Sequence, residues 1–257
     1  MSASINTILI IGGSRGIGAA FAERFHAMGK TVIITGRSED KLKQMTPKMT
    51  GLRYYTMDMT RLGELGKDIS HLFHSFPDID TVWINGGIQH PADIKDAASS
   101  TDNDVVDEIT TNVTAPMIIA RHVVPLLVAK KTETTIMVTG SGLGFMPVGN
   151  LSPVYCATKS AIHSYCVGIR QALKSTSVNV IEIVPPFVAT QLADGLGDLA
   201  KHVQAMPLAD FVEDSFKVLD GTAAKEIREV APGTAGPRVA VWRDSIGKAM
   251  AERGLGD

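Results

Sequence analysis

Five short runs of β-branched and aliphatic residues recur along this 257-residue chain: "TILII" (7–11), "TVIIT" (31–35), "TVWIN" (81–85), "TTIMVTG" (134–140) and "NVIEIV" (179–184). Most are continuously apolar rather than alternating, the pattern of strands covered on both faces in a parallel sheet. "LRYYTMD" (52–58) is a sixth candidate and "EIREV" (226–230) a weaker seventh. The segments between them have helical length. In the first, Ile17, Phe21, Phe25 and Met28 step i, i+4, i+8, i+11, and Gly29 supplies a helix stop. Strand and helix in alternation imply right-handed crossovers and a doubly wound α/β fold, a parallel sheet of about seven strands with helices on both faces. No linker, solenoid-period repeat or low-complexity segment interrupts the pattern. One domain over 1–257 is expected, with a substrate loop near 191–206 and a C-terminal extension near 232–257.

Composition narrows the function classes. Hydrophobic residues at 44% and charged residues at 20% exclude wholesale disorder. A net charge of -2 gives no basic footprint for nucleic acid or anionic lipid, so neither is expected as a partner. Cys156 and Cys166 fall ten residues apart on one predicted helix, about 15 Å along its axis, too far for a disulfide. A reduced, cytoplasmic protein is expected. No targeting segment precedes the first strand, and no apolar stretch approaches the ~20 residues needed to span a bilayer. The sequons at Asn112 and Asn150 therefore read as accidental. The histidines form no metal-binding cluster; His71 and His74 share a solvated helical face.

The first strand runs into "IGGSRGIGAA", with Gly12, Gly16 and Gly18 between strand and amphipathic helix. Such a turn lets backbone approach a pyrophosphate, whose charge then meets the free amides and dipole of the helix N-terminus. Gly12, Ser14, Arg15, Gly16, Ile17 and Gly18 are the candidate phosphate-binding residues of a Rossmann-type site. The second strand ends in "TGRSEDKL", with Arg37 where an NAD-binding protein would carry a carboxylate for the ribose hydroxyls. Arg15 and Arg37 at one corner suit a 2'-phosphate, which guanidinium binds bidentately, so NADP(H) is the expected cofactor.

These motifs, together with Asp58 after the third strand, "NGG" (85–87) after the fourth, Asn112, Ser141, Tyr155-x-x-x-Lys159 and "PPFVAT" (185–190), resemble the short-chain dehydrogenase/reductases over residues 5 to 190. "RFHAMGKTVIITGR" and "SPVYCATKSAIHSY" look like the DltE-type subgroup. The residues agree with what that resemblance implies. Ser152 can cap a helix with Pro153 at its first position, placing Tyr155 and Lys159 on one face. A free tyrosine titrates near 10; a nearby ammonium, the helix N-terminus and an oxidised nicotinamide would lower that value. Tyr155 could then protonate a carbonyl oxygen as hydride reaches its carbon, with Ser141 hydrogen-bonded to the same oxygen. By resemblance, Lys159 also holds the nicotinamide ribose and Asn112 organises a water in the proton relay. By resemblance too, Asp58 and Met59 meet the adenine, Asn85, Gly86 and Gly87 line the cofactor, and Pro185, Val188 and Thr190 cover the nicotinamide amide.

The chain departs from the family pattern at four places. Ile11 stands for the usual threonine, "NGG" for "NAG" (implying a looser turn), and Pro186 for glycine. Ser141 precedes Tyr155 by one residue more than usual, so the intervening loop should bulge. Leu143, Phe145, Met146 and Val148, with residues 191–206 as a lid, suggest a largely apolar substrate, with His90 at its edge and Cys156 as packing. The helices near 101–130 and 152–174 would, by resemblance, pair subunits into a homodimer or homotetramer. The expected activity is NADP(H)-dependent interconversion of a ketone or aldehyde and an alcohol. The alternatives are a nucleotide sensor that has lost turnover, or non-redox chemistry such as isomerisation or dehydration in the same pocket.

Overall fold

The computed structural model describes residues 1–148, 152–194 and 204–257. Seven strands form one sheet: β1 (Thr7–Ile11), β2 (Thr31–Gly36), β3 (Arg53–Thr56), β4 (Thr81–Ile84), β5 (Thr134–Thr139), β6 (Val178–Ile183) and β7 (Glu229–Val230). Their order is β3-β2-β1-β4-β5-β6-β7, and every pairing is parallel. All seven sequence runs are strands, although the weakest shrinks to two residues at the sheet edge. The crossovers carry α1 (Gly16–Ala27), α2 (Glu39–Lys43), α3 (Leu65–Ser75), α4 (Asp102–Ile109), α5 (Ala115–Ala129), α6 (Gly142–Phe145), α7 (Pro153–Leu173), α8 (Gln191–Asp194) and α9 (Leu208–Gly221). After β7 come α10 (Ala235–Trp242) and α11 (Lys248–Glu252).

Continuous apolarity in the strands has the expected cause. In β1, Ile8 and Ile10 belong to the core on one face of the sheet, while Leu9 and Ile11 belong to the core on the other. One face is aromatic: the Phe21 ring lies 4.7 Å from Trp83 and 5.2 Å from Phe216, centroid to centroid. The other is aliphatic, with Leu65, Ile69 and Leu72 of α3 packed beside Ile119, Val123 and Leu127 of α5. Each such side chain contributes about 1.5–3 kcal/mol when fully buried. Helix α1 ends where Gly29 takes φ +75°, its amide donating to the His26 carbonyl at 2.9 Å and that of Lys30 to Phe25 at 3.1 Å.

The helical run Asp102–Ala129 is long and apolar enough to cross a membrane by length and composition, contrary to the sequence expectation. Its apolar residues from Ala115 to Leu127 pack instead on the sheet. The run widens into a π-helical turn at Thr110–Thr114, which the sequence did not announce. Both cysteines are free and buried on α7. Asn112 is buried, which suits no glycan, whereas Asn150 lies outside the described residues.

Candidate active site

Strand order reverses between β1 and β4, since β2 and β3 extend one way and β5 to β7 the other. Ligands of such sheets lodge outside the carboxyl ends of the strands at that switch point. A cavity of about 530 Å³ lies there, walled by the segments that follow β1 through β6. Of the catalytic and cofactor residues expected from the sequence, all but Gly18 and Asn112 reach its wall; of the expected substrate residues Leu143 and Val148 do, whereas Phe145 packs against His163 and Met146 is exposed outside it. Gly18 is buried behind the turn and Asn112 behind Ile88.

The glycine turn owes its composition to close approaches. Gly12 has φ +87° and Gly16 φ +56°, both in the left-handed region. A Cβ at Gly12 would come within 2.7 Å of the Gly86 backbone, and one at Gly18 within 2.6 Å of Asn85 Nδ2. Arg15 is the N-cap of α1 and Arg37 follows β2; both are exposed at the same end of the cavity. Asp58 folds its own turn, accepting from the Thr60 amide and hydroxyl at 3.0 and 2.8 Å.

The "NGG" turn is not loose, contrary to expectation. Asn85 Nδ2 donates to the Gly12 carbonyl at 2.9 Å, and Asn85 Oδ1 accepts from the Thr139 hydroxyl at 3.0 Å, which bridges β1, β4 and β5. Met59 fills the space above Gly86, where a Cβ would overlap its sulfur. A glycine at 86 and a methionine at 59 are one packing solution.

Ser141 caps α6: its Oγ accepts from the Leu143 amide at 3.2 Å, leaving the hydroxyl proton to donate into the cavity. Ser152 occupies the N-cap position of α7 with Pro153 next, but its hydroxyl does not cap the helix. It donates to the His90 carbonyl at 3.0 Å and so ties α7 to the segment after β4. Tyr155 and Lys159 follow on the buried face of α7. The segment after Ser141 forms α6, and residues 149–151, where the expected bulge falls in part, lie outside the described residues.

Among the protein's own groups, the balance on Tyr155 runs opposite to the expected lowering. Burial pushes the phenol well above its usual value; the Ser141 hydrogen bond pulls it down, and the carboxyl of Glu108 and the Cys156 thiol push it further up. Lys159 does not offset this, because its ammonium donates to the Thr139 carbonyl at 2.9 Å and stands 5.5 Å from the Tyr155 ring centroid. Burial lowers Lys159 itself to about 8, against the pull of Glu182. Asn112, in the π-helical turn, pairs with Ile88 backbone: Oδ1 accepts from its amide at 2.9 Å and Nδ2 donates to its carbonyl at 2.8 Å. Its Nδ2 also reaches the Thr158 hydroxyl at 3.2 Å.

Three groups near the site, two of them buried, escaped the sequence reading. Glu108, one helical turn before Asn112, is 1% exposed and is raised to about 7, chiefly by burial. Glu182 interrupts the apolar run of β6 and pairs with His163 Nδ1 at 2.8 Å, one turn beyond Lys159 on α7. A lone carboxylate inside "NVIEIV" was the signal that could have revealed it. Glu182, His163 and Glu229 lie close enough to share an ion, but Glu229 already meets Arg170 at 3.0 Å and Arg243, so cations occupy that place. The third group is Arg238, from α10, in the cavity wall.

In the segment expected to act as a lid, α8 spans the start and residues 195–203 lie outside the described residues. Its base is pinned: Met206 donates to the Phe187 carbonyl at 2.8 Å and accepts from the Ala189 amide at 2.9 Å.

The family model for short chain dehydrogenases matches residues 6–200 of the chain. An uncharacterized oxidoreductase, DltE of Bacillus subtilis, is 36% identical over 192 residues, 75% of each protein. A 3-oxoacyl-[acyl-carrier-protein] reductase, FabG of Rickettsia prowazekii, is 27% identical over 208 residues, 80% of this chain and 83% of that protein. Among solved structures, a short-chain dehydrogenase from Sphingobium yanoikuyae in complex with NADPH superposes with a TM-score of 0.83 at 23% identity, covering 96% of this chain and 95% of that one. That likeness is one of fold. With the family model spanning most of the sequence and a relative above 30% identity, the chain belongs to the short-chain dehydrogenase family of oxidoreductases.

Proposed function

We propose that the protein is an NADP(H)-dependent oxidoreductase that reduces a ketone or aldehyde to an alcohol, with Tyr155 as the proton donor. The observation that carries this reading is the buried Tyr155 and Ser141 side by side on the wall of the switch-point cavity, with Lys159 on the same face of α7. The glycine turn fits a dinucleotide, since Gly12 and Gly16, both at positive φ, bring bare backbone to the cavity wall at the N-terminus of α1, where a pyrophosphate would meet free amides. Arg15 and Arg37 would hold the 2'-phosphate, and Asp58 and Met59 the adenine. Gly86 and Gly87 would face the ribose, and Pro185, Val188 and Thr190 the nicotinamide. When bound, the nicotinamide supplies or accepts a hydride.

The chain's own residues do the rest. Ser141 donates to the substrate oxygen and orients it, and Tyr155 delivers its proton to the same atom. A phenol kept protonated by burial suits the reductive direction. Lys159, held by Thr139 at 5.5 Å from the Tyr155 ring centroid, keeps a cation on the same wall. Asn112 locks the α4–α5 junction to Ile88 and so fixes the floor against which Lys159 packs. The exposed Val105, Val106 and Ile109 of α4 support a homodimer or homotetramer assembled through this face.

NADPH consumption against a panel of apolar ketones and aldehydes tests the reading, wild type beside Tyr155→Phe. Loss of turnover by ~10² or more in the variant is expected. Turnover that survives the substitution would remove Tyr155 from the mechanism.

A further inference from the structure

The charge lining the cavity is unbalanced. Among the described residues of its wall, Arg15, Arg37, Lys159 and Arg238 are cationic, against the carboxylate of Asp58. On the reading above, the first two meet the 2'-phosphate, and Lys159 is held by Thr139 beneath Tyr155. Arg238 is left over.

Its position separates it from the dinucleotide's phosphates. Arg15 and Arg37 follow β1 and β2, whereas Arg238 lies on α10, which follows β7 at the opposite edge of the sheet. The Arg238 stem lies along Gly142, where a Cβ would stand 3.4 Å from Arg238 Cδ. Gly142 directly follows Ser141, so the Arg238 stem lies at the Ser141 end of the cavity, whose wall the residue joins. It is partly buried, and its one hydrogen bond among the described residues is to the Met146 carbonyl at 3.5 Å, the outer limit of such a bond. No ion pair engages it among those residues. The same wall carries the apolar side chains of Leu143, Val148, Phe187 and Leu192. A guanidinium on the wall of a cavity, with no anion among the described residues to pair with it, matches a ligand that brings one.

We propose that Arg238 receives a carboxylate of the substrate, so that the substrate class is an apolar oxo acid and the product its hydroxy acid. This rests on the oxidoreductase reading of the same site. In the reaction the carbonyl carbon gains a hydride from the reduced nicotinamide and the carbonyl oxygen gains the Tyr155 proton. The carboxylate is unchanged, so Arg238 acts in binding and in choosing which carbonyl compounds enter.

Calorimetric binding to the NADP+-saturated protein, with octanoate, octanol and octylphosphonate as probes, tests the assignment without turnover. Octanoate is expected to bind at least tenfold tighter than octanol to the wild type, and Arg238→Met to erase that preference while leaving octanol within twofold. Equal affinity for octanoate and octanol, or an equal loss of both in the variant, overturns the proposal. Octylphosphonate binding tighter than octanoate overturns the carboxylate class. Weaker NADPH binding by Arg238→Met would assign the guanidinium to the cofactor and overturn it as well. In turnover, phenylpyruvate and levulinate are compared with their methyl esters; Arg238→Met is expected to raise KM for the acids at least tenfold, more than it lowers kcat. If acid and ester are both inert while octanoate binding still depends on Arg238, the redox reading fails and the anion site stands.

Discussion

The Lys159 ammonium is bonded to the carbonyl of Thr139 at 2.9 Å, at the end of β5, and not to the phenol of Tyr155, over whose ring it stands at 5.5 Å. The pair spaced one helical turn apart on α7 is thus joined through the sheet. With Lys159 held near 8 by burial, its charge is present below that pH and lost above it. NADPH affinity, measured by fluorescence titration from pH 6 to 9.5, is expected to weaken as pH rises through about 8. Lys159→Met should flatten that dependence and lower kcat/KM by ~10². An unchanged profile in the variant would mean that another group titrates there.

Arg15 and Arg37 stand at the corner opposite Arg238, exposed and close to the end of β2. Replacing both by alanine should weaken NADPH binding by ~10²-fold while leaving NADH within about threefold, since each charge-assisted hydrogen bond contributes about 1.5–3 kcal/mol. Paired dissociation constants for the two dinucleotides decide it. Equal losses for both would assign the arginines to the pyrophosphate.

Gly86 and Met59 are matched in volume. Gly86→Ala alone should cost about 1–3 kcal/mol, because the new methyl overlaps the Met59 sulfur. Adding Met59→Ala removes the obstruction, so the double variant should be more stable than the sum of the two single changes predicts. Urea unfolding of the four proteins in the cycle measures that coupling, and strict additivity would contradict the packing described.

Glu108 adds a stability term with an acid sign. Its folded-state value is raised from 4.5 to about 7, so between those limits the folded protein binds a proton that the unfolded chain releases. Stability from this group is therefore fully present below about 4.5 and declines as pH rises towards 7. The difference approaches ~3 kcal/mol at one pKa unit per 1.36 kcal/mol. Glu108→Gln should stabilise the protein at pH 8 relative to wild type and leave it no more stable at pH 5. Thermal midpoints across that range would show the two curves converging at low pH.

The strands, their parallel pairing and the glycine turn were legible because each is a local pattern: unbroken apolar runs, a fixed glycine spacing, and a stop at Gly29. The cavity residues from Gly12 to Thr190 were also legible as a set, since the family's spacing places them at successive strand ends. The turn at Gly86 was misjudged, because its tightness comes from Met59 and Asn85, distant in the sequence and adjacent only after β1, β3 and β4 assemble. Ser152 holds the expected N-cap position of α7, but the partner of its hydroxyl, the His90 carbonyl, was illegible for the same reason.

The sequence by itself determined the fold class and which hydroxyl, phenol and amine would face the cofactor cleft. Tertiary structure alone decided the charge states and partners of those groups. Burial raised Tyr155 and Glu108 and lowered Lys159, by removing water that no linear pattern records. It also brought Arg238, almost a hundred residues from Ser141, against the same cavity wall. Periodicity shows which side of a helix is apolar; it cannot show which distant side chains share a desolvated space.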